Sequence, residues 1–119
     1  KSVSVLLEDM QGSILPIAVA HGEGRLVATT QQLAALNAEN QVILRYVDSL
    51  GNPTQHYPLN PNGSPEAITG LTSKDGRATV MMPHPERNFR ALQHSWKPED
   101  WAEDGAWLRM FRNARKFIG

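Results

Sequence analysis

Cysteine is absent from this 119-residue chain. No disulfide and no thiolate-ligated metal can form within it, and it carries no thiol nucleophile of its own. Net charge is missing too: twelve Lys and Arg balance twelve Asp and Glu. That argues against a dedicated binder of nucleic acid or anionic membrane, which needs a basic excess. Long apolar runs are lacking. The longest, residues 14–20, contains Pro16 and falls far short of the roughly 20 residues that span a bilayer. Nothing in the opening Lys1-Ser2-Val3 reads as a secretory signal, so a cytoplasmic setting is expected. The chain opens without Met into the apolar run at 3–7, as expected of a piece from within a longer protein. Repeats and low-complexity tracts are missing as well, and 40% hydrophobic with 20% charged residues suits one domain with a modest core.

What is present reads as mixed strands and helices. Residues 3–8 and 14–20 are apolar and predict strands, the second buried on both faces. Thr29 with Gln32 three positions on predicts a capping box opening a short helix that ends within 37–40. Residues 42–47 predict a strand, 48–53 a turn, and Asn60-Pro61-Asn62-Gly63-Ser64-Pro65 a dense loop. Strands are expected at 67–71 and 78–82, joined by Ser73-Lys74-Asp75-Gly76, where Asp-Gly supplies a positive φ. A helical turn is expected within 88–94 and a loop over 96–104. The last helix is expected over 106–118, with Trp107, Phe111, Ala114 and Ile118 forming its apolar stripe. Trp96, Trp101 and Trp107 are expected to pack rather than bind, and His56 and His94 to be incidental. The whole predicts an α/β sheet with its site at the carboxyl edge.

The chemistry concentrates at Met81-Met82-Pro83-His84-Pro85-Glu86-Arg87. Pro85 pushes His84 towards extended backbone, which allows the imidazole and the Glu86 carboxylate to be neighbours. A carboxylate on one ring nitrogen fixes the tautomer and leaves the other nitrogen to take a proton. That is the base half of a nucleophilic triad. The alternative is a loop histidine beside a solvated Glu86 paired with Arg87. A second candidate is His21-Gly22-Glu23-Gly24-Arg25, where glycines let backbone N–H groups approach a ligand. Its alternative is a turn that merely needs positive φ. It lacks the Lys-Ser/Thr pair of a phosphate loop. His21, Glu23, His84 and Glu86 have suitable chemistry for zinc or iron but match no metal-ligand spacing, so no metal site is expected.

Three stretches go beyond short patterns. They are 16–25 (Pro16-Ile17-Ala18-Val19-Ala20-His21-Gly22-Glu23-Gly24-Arg25), Asn60-Pro61-Asn62-Gly63-Ser64 through Gly70-Leu71-Thr72-Ser73, and Gly76-Arg77 through Met81-Met82-Pro83-His84-Pro85-Glu86-Arg87. With the tail Trp107-Leu108-Arg109-Met110-Phe111-Arg112-Asn113-Ala114-Arg115, they resemble the phosphoribosylformylglycinamidine synthase family, in the C-terminal part of its glutamine amidotransferase domain. The tail and Ser95-Trp96 look like the large single-chain form. The resemblance implies an α/β three-layer sandwich of the class I glutamine amidotransferase, flavodoxin-like type, of which residues 1–119 would be the C-terminal half. It implies His84 as the base and Glu86 as its orienting partner. His21, Gly22 and Glu23 would line the glutamine pocket. The nucleophilic cysteine would lie upstream of Lys1, in the other half of the domain. No cofactor is implied within these residues; ATP and magnesium would serve the synthase domain. The implied partners are glutamine and the remaining domains of the same enzyme, with no nucleic acid and no membrane. The rival expectation is an inert structural or interaction fragment.

Overall fold

The structure, a computed structural model, describes residues 2–20 and 24–119. Its sheet has three antiparallel strands in the order β1-β2-β3: β1 Val42–Arg45, β2 Ile68–Thr72 and β3 Thr79–Met81. Two α-helices flank it in sequence, α1 Thr30–Ala38 and α2 Leu108–Ile118. Short 3₁₀ turns occupy Val5–Leu7, Pro65–Ala67, Pro85–Arg87 and Ala91–Gln93.

The central strand β2 is the most buried, with Ile68 only 2% exposed. Gly70 faces β1 closely, since a Cβ there would stand 2.8 Å from Leu44 Cδ1. The β2–β3 pairing runs Gly70 with Met81, Leu71 with Val80 and Thr72 with Thr79. The turn between them forms as expected. Gly76 takes φ +72°, and its N–H donates to Ser73 O at 2.9 Å. The Ser73 hydroxyl donates to Asp75, which holds that carboxyl below its ordinary 3.8. Helix α1 opens on the expected capping box, with Gln32 N–H donating to Thr29 Oγ1 at 3.2 Å and Thr29 N–H to Gln32 Oε1 at 2.8 Å.

Three expectations are corrected. Residues 3–8 contain the 3₁₀ turn Val5–Leu7 rather than a strand, and 14–20 form no strand. For 3–8 the reason is tertiary. The Asn113 side-chain amide donates to both Leu6 O and Glu8 O at 2.9 Å. Val5 N–H donates to Gly76 O at 2.9 Å, and the Ser4 and Thr79 hydroxyls meet at 3.0 Å. These bonds curl the segment against α2 and the hairpin turn instead of extending it into a ladder. Over 14–20, Pro16 offers no N–H, and its carbonyl accepts from the Trp107 indole at 2.8 Å. The third correction concerns α2. Its buried face is Trp107, Met110 and Asn113, while Phe111 and Ile118 are exposed. A polar residue, Asn113, belongs to that face because its partners are backbone carbonyls, which an apolar side chain cannot satisfy. Arg109–Asp9 and Lys116–Glu8 ion pairs, at 3.3 and 3.1 Å, reinforce the seam from the surface. Arg112 pairs with Asp104 just before the helix.

Of the tryptophans, Trp107 is buried and Trp101 stands edge-on to His94 with centroids 5.2 Å apart, while Trp96 is exposed. Among the described residues, no helix is long and apolar enough to cross a membrane.

Candidate functional site

Strand β3 ends at Met81, and Met82 N–H still bonds to Thr69 O at 3.1 Å, so the sheet fixes the backbone up to the edge of the site. Pro83 is buried there. His84 follows with φ −100° and ψ 96°, the extended conformation that Pro85 demands. Pro85 then starts the 3₁₀ turn Pro85–Arg87, closed by Arg87 N–H to His84 O at 3.1 Å. An extended residue entering a tight turn brings side chains two positions apart together. His84 Nδ1 and Glu86 Oε1 are 2.8 Å apart.

The pair is half-exposed, with His84 at 41% and Glu86 at 56% of side-chain surface accessible. Glu86 is held below its ordinary 4.5, first by its own backbone N–H and then by the His84 ring. It is therefore ionised at neutral pH and, able only to accept, takes its hydrogen bond from Nδ1–H. Among the described residues, nothing hydrogen-bonds Nε2. The arrangement is one that a general base could use. Because the Glu86 pKa is depressed, its contribution to stability is present above its ordinary value and is lost as pH falls through the lowered one. In a carboxyl carbon-13 titration, we expect the Glu86 midpoint below 4.5. A midpoint at or above that value would mean that the carboxylate does not hold the ring.

Leu6, Met110 and Phe111 join His84, Pro85 and Glu86 in lining a depression of about 340 Å³. A larger open groove of about 1490 Å³ runs between β1 and residues 2–19, yet contains neither His84 nor Glu86. Its lining is largely apolar, including Val5, Leu15, Val42 and Leu44, and its charged Glu8, Asp9, Arg45 and Lys116 are engaged in ion pairs. Volume alone does not mark the chemistry. The oriented His84–Glu86 pair lines the smaller depression.

His21, Gly22 and Glu23 lie outside the described residues. The segment that continues them is well defined in its contacts. Gly24 has φ +120°, and a Cβ there would stand 1.8 Å from Met82 Cε, so residue 24 abuts the side chain two positions before His84. From the loop at 60–64, Asn62 Nδ2 donates to Gly24 O at 3.2 Å, and Leu26 N–H donates to Ser64 Oγ at 3.1 Å. Asn60 and Ser64 are themselves buried, and Asn60 Nδ2 donates to Thr54 O and Ser64 O, each at 3.1 Å. In the sequence this stretch reads only as a dense loop. The available signal is its density of side chains that both donate and accept, Asn60, Asn62 and Ser64, on a rigid Pro-Gly frame. Among the described residues, no three His, Asp or Glu side chains come together as a metal site.

A family model describing the CobB/CobQ-like glutamine amidotransferase domain matches residues 1–118. Glutamine hydrolysis by this family accords with a histidine whose tautomer is set by a carboxylate at the end of a strand. With the match spanning all but the last residue, the chain belongs to the CobB/CobQ-like glutamine amidotransferase domain family.

Proposed function

We propose that this chain is part of the glutaminase domain of phosphoribosylformylglycinamidine synthase, in its large single-chain form. The enzyme would convert formylglycinamide ribonucleotide, glutamine and ATP to the amidine in purine synthesis. The observation that carries the reading is the 2.8 Å contact between His84 Nδ1 and Glu86 Oε1 at the end of β3. The four motif stretches support the choice of enzyme within the family. In this reading residues 1–119 are the C-terminal portion of a three-layer sandwich. The chain has no cysteine, so the thiol comes from the N-terminal portion of the same domain.

The chemistry would start at Nε2, to which no described residue hydrogen-bonds. It takes the thiol proton, and the thiolate attacks the side-chain amide carbon of glutamine. His84, now protonated and stabilised by Glu86, passes that proton to the departing nitrogen, which leaves as ammonia. Water then releases glutamate from the thioester. The segment at 21–23 would line the glutamine pocket. ATP and magnesium would act in the synthase domain, which receives the ammonia, in the cytoplasm. A second reading, a structural or interaction module without chemistry, draws on the open apolar groove along β1.

Intact enzyme given formylglycinamide ribonucleotide, glutamine, ATP and magnesium should form the amidine. The 119-residue chain alone should release no ammonia from glutamine. Failure of the intact enzyme to make the amidine would remove the synthase assignment. Turnover by the chain alone would overturn the external thiol.

A further inference from the structure

We propose that Asn62 is a positioning residue for glutamine binding, acting by holding residues 24–26 against the end of β3. The inference rests on the amidotransferase reading above and extends it to a residue that touches neither His84 nor Glu86.

The argument begins with what Asn62 does not need to do. Its Oδ1 accepts from Ser64 N–H at 3.0 Å, and that one bond suffices for the local turn. The amide Nδ2 is surplus to the turn, yet it donates to Gly24 O, 38 residues away. Ser64 Oγ receives Leu26 N–H across the same gap. Gly24 O and Leu26 N–H are the acceptor and donor that a neighbouring strand would engage on either side of Arg25. Side chains of the 60–64 loop thus substitute for a strand. The loop can bear this load because Asn60, buried to 2% exposure, spends both halves of its amide on the loop itself, at Thr54 O, Ser64 O and Gly63 N–H.

Opposite the loop, Gly24 abuts Met82. Segment 24–26 is therefore gripped between the polar loop and the residue that leads into Pro83-His84. Releasing the Asn62 bond frees the segment that continues the glutamine-lining residues, while the His84–Glu86 bond, closed within three residues, is untouched. The expected signature is weaker glutamine binding with unaltered chemistry.

The test uses intact enzyme carrying Asn62→Asp or Asn62→Ala, assayed against glutamine and separately against ammonium salt. Asn62→Asp keeps the acceptor for Ser64 N–H and replaces the donor to Gly24 O with a carboxylate oxygen that the carbonyl repels, so the loop survives in it even where Asn62→Ala fails to fold. We expect Asn62→Asp to raise the KM for glutamine about tenfold, the size of one hydrogen bond. Its kcat should stay within about twofold of the parent, and its ammonium-dependent rate should be unchanged. A parental KM, or a fall in kcat at unchanged KM, overturns the proposal. His84→Ala, assayed alongside, separates the two levels. Where it abolishes glutamine use and Asn62→Asp leaves KM alone, only the positioning role fails. Where it leaves glutamine use intact, the reading beneath fails.

Discussion

In the intact enzyme, His84→Ala should lower glutamine-dependent synthesis by about 10³-fold or more and leave synthesis from added ammonium salt near the parental rate. The size follows from the proposed role of His84 as the base. Without an acceptor at Nε2, the thiol stays protonated and the departing nitrogen has no proton donor, so both halves of the reaction stall. Ammonia supplied from solution bypasses both steps. The split between the two nitrogen sources is what makes the result specific. A variant that merely misfolds the domain would also disturb its docking to the synthase, and the ammonium rate would fall with it. Normal glutamine use by His84→Ala would show that His84 is not the base, whatever its geometry with Glu86.

Gly76→Ala should be the most damaging single-methyl change in the hairpin, costing about 3 kcal/mol or more in a denaturant titration. Two effects add. Gly76 has φ +72°, where an L side chain is strained by about 1 kcal/mol. The added Cβ would also stand 1.9 Å from Val3 O and 2.7 Å from Val3 C. These are backbone atoms and cannot rotate aside. Relief requires residues 3–5 to move, which breaks the Val5 N–H bond to Gly76 O and disturbs the contact of Ser4 with Thr79. Against a typical domain stability of about 5–15 kcal/mol the loss is large. A cost under about 1 kcal/mol would mean that the 3–5 segment is not held where the turn places it.

The hairpin and α1 are legible in the sequence because their determinants are local. Asp75-Gly76 sets the turn, and Thr29 with Gln32 sets the helix start, each within a few residues. The His84–Glu86 contact is legible for the same reason: two prolines dictate it from adjacent positions. What sequence reasoning misses is settled at long range. Residues 3–8 have strand composition, but their partners are Asn113, more than 100 positions on, and Gly76. Asn113 itself looks like a solvent-facing residue until the carbonyls of Leu6 and Glu8 come into view. Asn62 and Ser64 pass for ordinary loop polarity because the backbone groups they engage lie 38 positions earlier. Hydrophobic periodicity reports which faces avoid water and is silent on which polar atoms need one another.

The docking of α2 on Val5–Leu7 fixes an order of events. During synthesis, residues 5–8 emerge before α2 and have no helical partner until the chain has been made through Asn113. The same docking places Met110 and Phe111 opposite Leu6 in the wall beside His84 and Glu86. The imidazole and carboxylate can meet as soon as residues 84–86 exist, because nothing distant is required. The depression beside them cannot form until α2 arrives. A chain lacking α2 could still pair His84 with Glu86, but without the wall that Met110 and Phe111 supply.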